Sequence, residues 1–144
     1  MRYVCLHGHF YQPPRENPWL DTIEVQDSAA PYHDWNARIT AECYWPNAAA
    51  RLLGHKDQIT EVVNNYASLS FNFGPTLTSW FARHEPELLA EIVAADHVSR
   101  ERHAGHGNAI AQAYGHAILP LATPRDQETH VAWGVREFVH RFGR

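Results

Sequence analysis

The amino-acid sequence predicts an α/β fold in which parallel strands are flanked by helices. Strand-like segments at residues 2–6 and 69–73 alternate with segments of helical periodicity, which is the order typical of parallel β-α-β units. The 144 residues are enough for one domain with its own core. Ligands of such folds gather at the carboxyl ends of the strands, so a site is expected where the first strand ends.

The first strand candidate, residues 2–6, leads into a long segment, residues 7–34, that contains four prolines and has no sustained periodicity. We expect a loop here. Loops of this length inside compact domains are usually functional, so we expect it to form a wall of the site.

Three short helices are predicted between this loop and the second strand. The first is capped by Asp34 and extends to about Cys43. The second has Pro46 in its first turn and ends at Gly54. The third is capped by Asp57, and its helical spacing rests on Ile59, Val62, Val63 and Tyr66.

The second strand candidate, residues 69–73, alternates cleanly, so that Ser70 and Asn72 share one face. Helical spacing follows at residues 76–83 and 86–102.

The last third of the chain is predicted to hold one more strand and one more helix. The glycine-rich residues 103–110 are the third strand candidate. The last helix has Thr123 or Asp126 as its cap and ends at Gly143. Its apolar face comprises Val131, Val135, Phe138, Val139 and Phe142.

Composition excludes several classes of function. Twelve Lys and Arg against 16 Asp and Glu, without a basic block, argue against a nucleic-acid partner. No apolar run approaches the length of about 20 residues that spans a membrane. The two cysteines, Cys5 and Cys43, form no disulfide framework, so we expect a cytoplasmic protein. No nucleotide-binding glycine motif or serine-hydrolase elbow is present.

Residues 7–14, His-Gly-His-Phe-Tyr-Gln-Pro-Pro, are the strongest functional candidate. His7 and His9 are two residues apart on an extended segment and project to the same side, as two ligands of one metal ion would. The candidates for completing such a site are His103, His106 and His116. This interpretation predicts a zinc-dependent, amidohydrolase-like enzyme.

The same imidazoles are also suited to binding the hydroxyl groups of a sugar. In that interpretation the rings of Tyr11, Trp19, Trp35 and Trp45 would stack on pyranose faces. A third interpretation is purely structural, with satisfied loop histidines and packed aromatic rings. The residues by themselves leave all three open.

Four stretches, taken in order, carry a resemblance to a known family. They are residues 7–13, 70–77, 107–121 and the final Trp-Gly-Val-Arg-Glu-Phe helix that ends in Phe-Gly-Arg. Together they resemble glycoside hydrolase family 57, and most closely its branch of uncharacterised α-amylase-like proteins. The resemblance implies an incomplete (β/α)7 barrel that acts on α-glucans with retention of configuration, by hydrolysis, transglycosylation or branching.

In that family the nucleophilic glutamate and the acid/base aspartate would both lie beyond Arg144. We therefore expect residues 1–144 to form a single partial catalytic-barrel domain that binds sugar and is inactive alone. The free edge of the partial barrel is expected to favour self-association or pairing with a C-terminal half. No cofactor or metal is expected, and a non-catalytic glucan-binding module is the alternative without enzymatic activity.

The family pattern places His7 and His9 in the subsite next to the scissile bond, with Gln12 beside them and His116 facing the sugar. Eight further residues complete the expected substrate-binding set: Trp35, Asn36, Glu42, Tyr44, Asn72, His106, Asn108 and Gln112. Their expected role is hydrogen bonding or stacking and not proton transfer.

Overall fold

The structure, a computed structural model, describes residues 2–144 and has a mixed α/β architecture. Its strands are β1 (His7–Phe10), β2 (Ala50–Leu53), β3 (Ile59–Val63) and β4 (Ser70–Phe73). Its helices are α1 (Trp35–Ile39), α2 (Trp45–Ala48), α3 (Pro75–His84), α4 (Pro86–Arg102) and α5 (Pro124–Phe142), and a π-helical turn (Thr40–Tyr44) joins α1 to α2. The strands form one parallel and one antiparallel pair, and no closed barrel forms within residues 2–144.

The parallel pair consists of β1 and β4, with His7 opposite Ser70 and Phe10 opposite Phe73. The predicted third strand is reduced to a single parallel bridge between Ala109 and Phe71. At this bridge the Phe71 N–H donates to the Asn108 carbonyl, and the Ile110 N–H donates to the Phe71 carbonyl. The chain therefore returns beside β4 and brings the residues after Ala109 to the same sheet.

The two faces of the parallel pair differ in chemistry because side chains alternate along each strand. Phe71 and Phe73 point into the core. The largest core side chains around them are Tyr44, Tyr66, Leu77, Trp80, Phe81, Leu88 and Ile92. Ser70 and Asn72 lie on the opposite face, as the alternation predicts.

The first strand lies later in the chain than predicted. Residues 2–6 are not a strand, and Tyr3, Val4 and Leu6 are exposed. The partner strand explains the shift, because β4 begins only at Ser70, whose N–H donates to the Leu6 carbonyl. Residues before Leu6 therefore have no neighbouring strand among the described residues.

The prediction of helices over residues 46–54 and 57–66 is largely wrong. Helix α2 ends at Ala48, and β2 and β3 form an antiparallel hairpin in its place. Lys56 and Asp57, at the hairpin turn, have positive φ angles of 63° and 57°, so Asp57 caps no helix. The spacing of Ile59, Val62 and Val63 fits a helix, but β-branched side chains favour extended backbone.

The other predicted helices are confirmed. The Asp34 carboxylate caps α1 by accepting from the N–H groups of Asn36 and Ala37. Thr123 caps α5, which ends at Gly143 in the left-handed conformation. Only part of the predicted apolar face of α5 is buried. Phe138 and Phe142 pack on the core, but Val131, Val135 and Val139 are exposed. None of the helices in residues 2–144 is both long and apolar enough to cross a membrane.

Candidate functional site

Polar side chains from three parts of the chain meet on the open face of the β1–β4 sheet. We call this group the polar cluster; it comprises His7, His9, Tyr11, Ser70, Asn72, Gln112 and His116. Strands β1 and β4 supply the first members by alternation. The Ala109 bridge then leads the chain back over the sheet, so that Gln112 and His116 reach the same face.

Asn72 lies at the centre of the polar cluster and is the only cluster member that is buried. His7 lies between Ser70 and Asn72, with Nδ1 2.8 Å from the Ser70 hydroxyl and Nε2 3.1 Å from Asn72 Oδ1. The amide Nδ2 of Asn72 lies 2.9 Å from His9 Nδ1 and also donates to Gln112 Oε1. Finally, His9 Nε2 and His116 Nε2 are 2.9 Å apart.

The direction of these hydrogen bonds follows the tautomer of His9, whose Nδ1 lies within hydrogen-bond distance of both Asn72 Nδ2 and, at 3.2 Å, Asn72 Oδ1. When Asn72 Nδ2 donates to His9 Nδ1, the proton of His9 is on Nε2, which donates to His116 Nε2. Asn72 Oδ1 accepts from His7 Nε2, so His7 Nδ1 accepts from the Ser70 hydroxyl.

Aromatic stacking holds the outer part of the polar cluster. The Tyr11 ring stacks on the His116 ring with centroids 4.1 Å apart, and it is nearly parallel to the His9 ring. Gly74 makes this approach possible, because a Cβ there would lie 2.7 Å from the Tyr11 ring. The substrate-binding set implied by the family resemblance omitted Tyr11 and Ser70, although Tyr11 is one of the stacking rings of the sugar interpretation and strand alternation already places Ser70 on the Asn72 face.

Several groups of the polar cluster are left for a ligand. The Tyr11 hydroxyl, Gln112 Nε2 and His116 Nδ1 make no hydrogen bond with the rest of residues 2–144. His7, His9 and His116 are exposed. The cluster contains no carboxylate and no lysine or arginine, so its chemistry is that of neutral donors and acceptors beside an aromatic ring.

Gln12 and Tyr44 lie next to the polar cluster but on the core side of the sheet. The Gln12 amide donates to the Tyr44 hydroxyl at 3.3 Å and accepts from Arg15. Tyr44 belongs to the core, where burial raises the pKa of its phenol although the hydrogen bond from Gln12 lowers it. These two residues therefore pack on the core side of the sheet and do not face the polar cluster.

Trp35, Asn36 and Glu42 lie on α1 and the π-helical turn, outside the polar cluster. The Trp35 indole donates to the Ser28 hydroxyl, and Glu42 forms a surface ion pair with Arg38. Asn36 is buried, and its Oδ1 has no hydrogen-bond partner within residues 2–144.

His106 and Asn108 precede the Ala109 bridge. His106 is exposed and lies outside the polar cluster. The Asn108 N–H donates to Ser99 Oγ, and its side-chain amide donates to the Tyr66 carbonyl. Asn108 therefore anchors the returning chain beside β4.

The described residues contain no set of ligands for the metal interpretation. Within residues 2–144 no group of three or more His, Cys, Asp or Glu side chains is arranged to hold a metal ion. The Nε2 atoms of His9 and His116 face each other at hydrogen-bond distance, with ring centroids 5.1 Å apart. This head-on geometry suits a shared proton.

Comparisons with protein-family profiles, curated proteins and solved structures give no match. The resemblance to glycoside hydrolase family 57 therefore stays a prediction, and the functional argument rests on the polar cluster.

Proposed function

We propose that this chain binds α-glucans through the polar cluster, as the N-terminal portion of a barrel of the family 57 type. The observation that carries the proposal is the convergence of three imidazoles, two carboxamides and the Tyr11 ring on one open sheet face. A pyranose presents several hydroxyl groups around a ring with apolar C–H faces. The free donors and acceptors of the cluster match the hydroxyl groups, and the Tyr11 ring matches the apolar C–H face.

The neutral character of the polar cluster supports a sugar over an anion or a metal ion. Phosphate binding uses clustered cations or helix N-termini, and the seven cluster side chains include no permanent cation. Neutral hydroxyl groups, which both donate and accept, are suited to Gln112 Nε2, the Tyr11 hydroxyl and His116 Nδ1.

The proposal covers binding and not bond cleavage. Glycosidic bonds are normally cleaved by two cooperating carboxyl groups about 5 to 10 Å apart, and the polar cluster holds neither. We therefore expect the 144-residue chain to bind maltooligosaccharides without converting them. Hydrolysis, transglycosylation or branching would require carboxyl groups from outside the cluster.

Calorimetric titration with maltoheptaose tests the proposal. We expect saturable binding that is weakened at least about tenfold in His9→Ala, because that change removes both the His116 and Asn72 contacts. His55→Ala, at the exposed hairpin turn, is the matched control and should bind as the unchanged chain does. Equal binding of cellohexaose would contradict the proposed specificity for α-glucans. Unchanged binding by His9→Ala would contradict the assignment of the binding site to the polar cluster.

The free edge of β1 supports a second proposal, self-association or pairing with a C-terminal half. Within residues 2–144, β1 pairs only with β4, so its other edge presents unpaired backbone groups. Sedimentation at tens of micromolar should show a dimer or larger species. A monomer at that concentration would contradict self-association.

A further inference from the structure

A second group of aromatic and polar side chains lies outside the polar cluster, on α5. The rings of Tyr114 and Trp133 meet edge to face, with centroids 5.5 Å apart and planes at 86°. Both are exposed, Tyr114 by 38% and Trp133 by 51%. With Arg136, Glu137 and His140 they line an open surface cavity of about 320 Å³, which we call the Tyr114–Trp133 corner.

The periodicity of α5 accounts for this grouping. Arg136, Glu137 and His140 follow Trp133 by three, four and seven residues, so all four side chains lie on one face of the helix. Tyr114 comes from the returning chain. Since Gln112 and His116 belong to the polar cluster, residues 112–116 contribute to both places.

The backbone of the corner is fixed in place. The Tyr114 N–H donates to the His130 carbonyl, and the Gly115 N–H donates to His130 Nδ1. Gly134 lets the chain lie directly on α5, because a Cβ there would be 1.9 Å from the Gln112 carbonyl oxygen. The backbone that carries Tyr114 is therefore held against α5 without a ligand, which lowers the entropic cost of binding one.

The charges of the corner favour a neutral ligand. Glu137 accepts hydrogen bonds from Thr78 and Arg141, so its charge is compensated within the protein. The side chains of Arg136 and His140 make no hydrogen bond or ion pair with the rest of residues 2–144 and are available as partners for hydroxyl groups. A single free guanidinium does not form the cationic cluster that phosphate groups require.

We propose that the Tyr114–Trp133 corner is a second α-glucan site, separate from the polar cluster. A pyranose ring stacks its C–H face on the exposed indole, the Tyr114 ring forms the side wall, and Arg136 and His140 bind the hydroxyl groups. The volume of the cavity, about 320 Å³, is at the lower end of the range of ordinary small-ligand sites, about 300 to 1,000 Å³. The choice of α-glucan over other sugars rests on the proposed function of the polar cluster.

A maltoheptaose titration followed by NMR tests this proposal, with the Trp133 indole N–H as the reporter. We expect its signal to shift saturably in the unchanged chain and in His9→Ala. In the two Trp133 variants, which lack this indole, the backbone N–H of Tyr114 is the reporter. By that signal Trp133→Ala should weaken binding at this site about tenfold, whereas Trp133→Phe should retain most of it. Trp19→Ala is the matched control, because this exposed loop tryptophan, a stacking candidate in the sequence, belongs to neither the polar cluster nor the Tyr114–Trp133 corner.

The outcomes separate the two proposals. A Trp133 signal that moves while the cluster histidines do not would support the corner and contradict the proposed function of the polar cluster. A Trp133 signal that stays fixed at saturating maltoheptaose would overturn the corner, even if Trp133→Ala failed to fold. A Trp133→Ala change that converts a dimer into a monomer without altering sugar binding would also overturn it, because a second copy would then cover these rings.

Discussion

The two strand pairs of this molecule are of similar length but differ in what covers them. In the parallel β1–β4 pair, Phe71 is fully buried and the opposite face carries the polar cluster. In the β2–β3 hairpin, Leu53, Ile59 and Val62 are all more than half exposed. Only the first pair combines a buried aromatic face with an ordered polar face. Rigid support from the core is therefore what allows the polar side chains of that pair to form a fixed site.

The largest expected difference between the two pairs is in stability. Phe71→Ala removes a fully buried ring from the aromatic core and should lower the free energy of unfolding by about 4 kcal/mol. Val62→Ala in the hairpin, where the side chain is 59% exposed, should lower it by less than about 0.5 kcal/mol. Urea denaturation measures both. Similar losses for the two variants would show that the hairpin is as well supported as the parallel pair.

The next effect concerns the anchor of the returning chain. The Asp96 carboxylate, almost fully buried, accepts from the Ala109 N–H and from the Arg144 guanidinium. Asp96→Asn should lower the free energy of unfolding by about 2 kcal/mol, because it removes the charge of a buried carboxylate that accepts from both a backbone N–H and the partly exposed Arg144. Removing the exposed partner of Arg38 by Glu42→Gln should cost less than about 1 kcal/mol in the same urea assay. Equal effects would contradict the anchoring role of Asp96.

Alkaline pH should lower the free energy of unfolding through two buried tyrosines in the core beneath the parallel pair. Burial raises the pKa of both Tyr44 and Tyr66, so the unfolded chain loses these protons at a pH where the folded chain keeps them. The stability they contribute is complete below the ordinary tyrosine value of about 10 and falls above it by about 1.4 kcal/mol per pH unit for each tyrosine. Urea denaturation at pH 9 and 11 measures the slope. Tyr66→Phe should reduce the slope, and an unchanged slope would show that Tyr66 does not contribute.

The smallest effect is expected at the hairpin turn. Lys56 has a φ of 63°, a conformation that glycine adopts with little strain. Lys56→Gly should therefore raise stability by up to about 0.5 kcal/mol, while Gln58→Gly, at a φ of −74°, should lower it by a similar amount. Hydrogen exchange of the β2 and β3 amides measures the change in local stability of the hairpin. A loss of protection in Lys56→Gly would contradict the strain argument.

The sequence predicts those parts of the fold that local chemistry decides. The alternation around Asn72 predicts β4, and the Asp34 and Thr123 caps predict the starts of α1 and α5. The hairpin could not be predicted in the same way, because Ile59 and Val62 fit helical spacing and only their β-branched shape favours a strand. The start of β1 depends on where β4 begins, which is a fact of tertiary structure.

The candidate site was predictable to the extent that strand alternation determines it. Alternation places His7 and His9 on one side and Asn72 on the matching side of β4, and parallel pairing then brings them together. The contact of His116 with His9 spans 107 residues and depends on the Ala109 bridge, which no local pattern reveals. Trp35 and Glu42, by contrast, are close to one another in sequence but lie on a helical segment outside the polar cluster.

An NMR titration of the histidine Cε1–H signals with maltoheptaose tests directly whether the polar cluster binds α-glucan. We expect saturable shifts for His9 and His116, which lie at the open edge of the polar cluster, and no shift for His55 at the hairpin turn. Signals of His9 and His116 that stay unmoved at saturating maltoheptaose would contradict the claim that the polar face of the β1–β4 sheet binds α-glucan.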